Sequence, residues 1–238
     1  MNNIVKLIKG EVIRLYKYKI LVVGSAVSLL WALILGLIPK ENAVSLLPIL
    51  LFMDASVMSI LLLAASFYLE KQEGSLKTLL VTTVGVGDIL IAKVAASLIN
   101  GLISGVIVAV SAMIIHKIQI NLLLLFCYLL IVVAAHSAIG FVIILFCKDF
   151  GSVIVFYALF ALVAIIPSFL LSLGVIPRKF NDILLFSPSH SGQVLINSVV
   201  AEVKVYQIAV AIAYLLILTA ILYRFVVYKK FKQYAVEG

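Results

Sequence analysis

Residues 44–77 read VSLLPILLFMDASVMSILLLAASFYLEKQEGSLK. As far as Leu69 the run is apolar, broken only by Asp54 and a few serines. It exceeds the roughly 20 helical residues that cross a bilayer core. At Glu70 the chemistry changes abruptly to the island Glu70-Lys71-Gln72-Glu73-Gly74-Ser75-Leu76-Lys77. An apolar segment of this length ending in a compact charged island predicts a helix that leaves the membrane there.

The pattern repeats along the chain. Apolar stretches predict spans at 21–39, 45–69, 89–114, 120–146, 152–176 and 206–227. The chain is 65% hydrophobic and 12% charged, and its mean hydropathy is +1.30. A water-soluble fold has no polar surface to cover six such helices. The short alternating strands of a membrane barrel are absent. The expected class is an all-α polytopic membrane protein, with 1–238 forming one transmembrane domain. The long charged preface and the lack of a small-x-small cleavage site argue against reading the first span as a signal peptide.

Charge sets the orientation. Lys6, Lys9, Arg14, Lys17, Lys19, Lys71, Lys77, Lys93, Lys148, Arg224, Lys229, Lys230 and Lys232 fall on one side, which is 13 of the 18 basic residues. Lys40, Lys117, Arg178, Lys179 and Lys204 fall on the other. The positive-inside rule therefore predicts cytoplasmic termini and a cytoplasmic island. A net charge of +8, which would suit nucleic acid in a soluble protein, is explained by topology instead.

Residues 4–19 have helical amphipathicity: Ile4, Val5, Ile8, Val12, Leu15 and Tyr16 fall within an arc of about 120°. Lys6, Lys9, Arg14 and Lys17 lie opposite, while Glu11 and Ile13 blur the separation. Two readings stand, an interfacial helix on the cytoplasmic leaflet and a plain basic flank. The outer segment 177–204 contains Ser187-Pro188, an apolar quartet at 183–186 and Val194-Leu195-Ile196. Its short apolar pieces are expected to rest on or dip into the outer interface, as a lid or as a connecting loop.

Few residues offer chemistry. Asp54 is the one acidic side chain well inside a span, in the half of the membrane away from the island. Its readings are a pathway or proton-sensitive residue, a polar contact to another helix, or a misplaced boundary. His136 either lines a polar seam or makes a helix–helix hydrogen bond. His116, His136 and His190 have no metal-ligand spacing, and Cys127 and Cys147 no CxxC spacing. Gly101 and Gly105 form a GxxxG pair, a candidate face for a second chain. Pro167 predicts a kink in the fifth span. No phosphate-binding loop or HExxH occurs, and Gly85-Val86-Gly87-Asp88 lacks the strand–helix context of a nucleotide fingerprint. No catalytic residue is expected, and active transport would draw on an ion gradient or a separate subunit.

In the island, Glu70, Glu73 and Lys77 share a helical face, with Glu73 and Lys77 at i,i+4 spacing. Leu76, Leu79 and Leu80 lie beside them. This is either a docking helix for a cytosolic partner or a solvated turn joining two helices. The stretch from Leu69 to Thr82, followed by Leu90-Ile91-Ala92-Lys93, resembles the membrane subunit of ABC-2 type transporters, in particular small bacterial drug or antibiotic export permeases. Thr83 stands where members often carry proline.

The resemblance implies a coupling segment at 70–84 that presses on a cytosolic ABC ATP-binding subunit through Glu70, Lys71, Glu73, Gly74, Leu76 and Lys77. It also implies a second permease subunit, in a homo- or heterodimer, and an outer re-entrant segment at Ser187-Pro188. ATP and Mg2+ would be held by the partner, with no cofactor on this chain. The implied place is a prokaryotic plasma membrane and the implied role export of a drug, antibiotic, peptide or lipid-like substrate. An ion-gradient-driven transporter and a membrane scaffold or immunity protein are the alternatives.

Overall fold

The computed structural model describes residues 3–75, 78 and 84–237, which are helical without any strand. The helices are α1 (Asn3–Lys17), α2 (Ile20–Leu37), α3 (Lys40–Gln72), α4 (Val86–His116), α5 (Leu122–Phe146) and α6 (Phe150–Ser172). They are followed by α7 (Asn181–Leu184), α8 (Pro188–Asn197), α9 (Val205–Ile221) and α10 (Tyr228–Glu237). Helices α2 to α6 and the segment Val205–Gln233 are each long and apolar enough to cross a membrane. The six expected spans are therefore present.

Helix α3 is the centre of the bundle and packs on α2, α4, α5 and α8. Its Leu47, Leu51, Phe52, Ala55, Ile60, Ala64 and Phe67 are all buried, which a helix apolar around its whole circumference requires. It runs to Gln72, so Glu70, Lys71 and Gln72 form its last turn. The GxxxG pair of α4 is used inside the chain. A Cβ on Gly101 would lie 2.7 Å from Val133 Cγ2, and one on Gly105 would lie 2.5 Å from Leu129 Cδ1. That face is filled by α5 and is not open to a second chain, because only glycine lets the two helices come so close.

Pro167 does not break the fifth span. A π-helical turn, Ala161–Ile165, precedes it and the helix resumes through Ser172. The Ala164 carbonyl accepts Ser168 Oγ at 2.9 Å and Ser187 Oγ at 3.3 Å, so side chains satisfy the backbone where the regular ladder is disturbed. Gly174, at φ 76°, ends the helix with Val175 N–H donating to Leu170 O and Gly174 N–H to Leu171 O. This is a Schellman cap.

The outer segment contains a short helix, α8. Ser187 precedes α8 and Pro188 occupies its first turn, where a missing N–H does no harm. Every residue from 189 to 196 is buried. Val194, Leu195 and Ile196 thus pack against the rest of the chain. Gly192 makes this possible, since a Cβ there would lie 2.8 Å from Phe52 Cε2.

Candidate functional site

The islands of charge converge at one end of the bundle. Helix α1 packs on α4 and α2 there, and α10 sets Phe231 against Phe67 of α3, ring centroids 6.3 Å apart. Helices α1 and α10 therefore both lie at the Glu70 end. Helix α1 is amphipathic, but its inward face differs from the apolar arc. Leu15 is buried, whereas Val5 and Tyr16 are exposed. Glu11 points into the bundle at 3% exposure.

Glu11 is part of a buried ionic cluster. Lys93 Nζ of α4 lies 2.7 and 2.6 Å from the two carboxylate oxygens of Glu70, and 3.3 Å from each oxygen of Glu11. Arg14 Nη1 lies 2.7 Å from Glu70 Oε2 and 3.5 Å from Glu11 Oε1. It makes no aligned hydrogen bond, so the contact with Glu70 is an ion pair. Ser66 Oγ, one turn earlier on α3, donates to Glu70 Oε1 at 3.0 Å. Side-chain exposure is 0% for Glu70, 2% for Lys93, 4% for Glu11 and 20% for Arg14. Two carboxylates and two cations cancel, the condition under which charges tolerate burial. Burial, partly offset by Lys93, still pushes the Glu11 carboxyl up from its ordinary range.

A second tie lies nearer solvent. Tyr18 Oη, at the corner between α1 and α2, donates to Glu73 Oε2 at 2.5 Å. Partial burial and this acceptor push the phenol up to about 12. The corner itself is tight, with Lys19 at φ 61°. Gly74, at φ 70°, turns the chain after α3, a conformation natural to glycine. Ser75 Oγ then donates to the Glu70 carbonyl at 3.2 Å.

The island is thus divided. Glu70 was expected on a docking face, but its carboxylate is buried against Lys93 and Arg14 and is not presented outward. Lys71, Gln72 and Glu73 are exposed, and Lys71 Nζ sits 5.7 Å from the Tyr68 ring centroid. Glu73 accepts a hydrogen bond from Tyr18; its expected i,i+4 partner, Lys77, is not among the described residues. Leu76, Lys77, Leu79, Leu80 and Thr83 lie outside the described residues.

Sequence reasoning used Lys93 for topology and missed its role as the hub. The signal was there: a lysine inside an apolar span and an acid on the apolar side of α1 are misplaced singly and compatible together.

Asp54 and His136 are not brought together. Asp54 is 1% exposed, and its Oδ2 lies 2.7 Å from Ser28 Oγ of α2. His136 is fully buried, with Nδ1 2.8 Å from the Val132 carbonyl of its own helix. Its ring packs edge-on to Phe52 and Phe160, centroids 5.4 and 6.5 Å away. It is a packing residue of the α3–α5–α6 junction in this arrangement.

A family model described as ABC-2 type transporter matches residues 2–200, from α1 through α8. The chain belongs to the ABC-2 type transporter family. No curated protein matches it. Six apolar helices and this family make it a multi-pass membrane transport component, an ABC-type permease. Members in general work with an ABC ATP-binding subunit, and Lys71, Gln72 and Glu73 at the end of α3 are exposed.

Proposed function

We propose that this permease is the membrane half of an ATP-driven exporter in a prokaryotic plasma membrane. Both termini and the tip of α3 face the cytoplasm, in line with the basic residues gathered at that end. A separate cytosolic subunit binds and hydrolyses Mg2+-ATP and docks on the tip through Lys71, Glu73 and the turn at Gly74, with Leu76 and Lys77 continuing the surface. A second permease subunit completes the pathway. The cargo class is a drug, antibiotic, peptide or lipid-like molecule.

The observation that carries this reading is the ionic cluster directly behind the tip. Glu70 joins α3 to α1 and α4, and Tyr18 joins Glu73 to the start of α2. A push on the tip is thereby delivered to three membrane helices and to the interfacial helix at once. Glu70 is a positioning residue and Glu73 the contact residue. The test is Glu73→Lys in vesicles reconstituted with the ATP-binding subunit. The variant inserts normally but loses ATP-dependent export and transport-stimulated ATP hydrolysis. Unchanged export together with unchanged stimulation would refute docking at the tip.

A further inference from the structure

Asp54 differs from the other buried carboxylates in its surroundings. Glu11 and Glu70 are each flanked by Lys93 and Arg14. Asp54 has no cation within ion-pair distance among the described residues, and its Oδ1 has no partner. Its neighbour α2 carries no ionisable side chain. On α4, Lys93 is taken by the ionic cluster, His116 Nε2 lies 2.6 Å from the Leu35 carbonyl, and Asp88 is in the first turn. On α5, His136 rests on Val132, and on α8, His190 faces Asn181. Tyr128 and Cys127 of α5 and Tyr157 of α6 have no hydrogen bond to Asp54 among those described.

Proton counting leaves two forms of the Asp54–Ser28 contact. Ser28 Oγ lies 3.0 Å from the Gly24 carbonyl and 2.7 Å from Asp54 Oδ2. A hydroxyl has one proton and two lone pairs, so it cannot donate to both. Elsewhere in the bundle Ser56, Ser111, Ser137 and Ser168 donate to the carbonyl four residues before them. If Ser28 does the same, Asp54 must be the donor. An ionised Asp54 would instead leave a charge in the apolar core with one neutral donor, which is expensive.

We infer that Asp54 is a proton-binding site: its neutral acid donates from Oδ2 to Ser28, which relays to Gly24, and this proton holds α2 against α3. A cavity beside the ionic cluster ends at Asn100, which abuts Gly24, the residue whose carbonyl faces Ser28. It measures about 20 Å³ and is lined by Lys93, Ser66, Ser97, Ser59, Asn100 and Leu62 among others, room for one water. Asn100 and Leu62 abut Gly24, where an added Cβ would meet Asn100 Oδ1 at 3.0 Å. Movement of α2 that admits water along this route lets the proton pass to water and leaves a carboxylate. Separation of α2 from α3 and proton release are then one event.

The test is infrared spectroscopy of the full chain reconstituted in phosphatidylethanolamine–phosphatidylglycerol bilayers at pH 7 in sodium and in choline buffers. A protonated-carboxyl C=O band is expected in both buffers and lost in Asp54→Asn. In Ser28→Ala it shifts to higher frequency, because the acid has lost its acceptor. Asn100→Leu keeps the band but slows its deuterium shift. Absence of any band difference between wild type and Asp54→Asn overturns the proposal. So does a band unmoved by Ser28→Ala, which keeps the proposal falsifiable if the asparagine variant misfolds. A band seen only without sodium would make the site a cation site, and an unchanged exchange rate in Asn100→Leu would remove the inner route.

Discussion

Replacing Lys93 with methionine keeps the length of the side chain and removes the charge. Glu70 then retains Arg14 and Ser66, while Glu11 retains only Arg14 at 3.5 Å. Breaking a buried pair from one side typically destabilises by about 3–5 kcal/mol. The structure sets a ceiling nearer the lower figure, because Glu11 can escape by taking up a proton. Protonating an ordinary glutamate at pH 7 costs about 3.7 kcal/mol, and burial already favours the protonated form of Glu11. Lys93→Met should therefore weaken α1 docking by about 3 kcal/mol, on the order of 100-fold in its opening equilibrium. Limited trypsin digestion of the chain in nanodiscs reads this directly. Arg14 is largely shielded in the docked helix, and at low protease, where opening and closing outpace cleavage, cleavage there should accelerate by about that factor. The double variant Lys93→Met/Glu11→Gln removes the orphaned acid and leaves Glu70 with Arg14, so it should recover at least half of the loss. Cleavage at the wild-type rate in Lys93→Met, or a double variant no better than the single, would show that the four residues do not act as one cluster.

Two further outcomes follow from the packing and the electrostatics. Because burial raises the Glu11 carboxyl, the folded chain holds a proton that the unfolded chain releases, so this contribution is full at low pH and fades as pH rises through the folded value. The melting temperature of wild type should accordingly fall relative to that of Glu11→Gln as pH rises above the ordinary glutamate range; parallel pH profiles would contradict the assignment. Gly192→Ala places a methyl 2.8 Å from the ring of the buried Phe52. It should destabilise by about 1–3 kcal/mol through overpacking, seen as a lower unfolding midpoint, and an unchanged midpoint would mean that α8 can move away freely.

The six spans were legible because length and apolarity alone specify a membrane helix. The site was legible only in outline. Glu70 and Glu73 are three residues apart, which puts them near one another on a helix, yet one is enclosed and the other exposed. What separates them is α1, whose docking angle no local pattern encodes. Glu11 registered only as a flaw in an amphipathic face, and Lys93 only as a charge near a span end. Each is explained by the other across 82 residues of chain. The GxxxG pair failed in the same way: small residues announce a close approach but not the helix that makes it, here α5 through Val133 and Leu129.

The two buried acids of α3 act on the same rigid rod. Between Asp54 and Glu70 the helix contains no proline and no glycine, the commonest causes of a sharp kink. Sixteen residues of helix separate them (70 − 54), about 24 Å along the axis. At one end the rod is clamped to α1 and α4 by ion pairs, and further along it is joined to α2 by the Ser28 hydrogen bond. A displacement at the tip, where the proposed partner docks, would strain the ionic cluster or shift Asp54 against Ser28, and only a single hydrogen bond opposes the second. If the tip is loaded as proposed, freeing of the intramembrane acid would follow as the next step of the same motion.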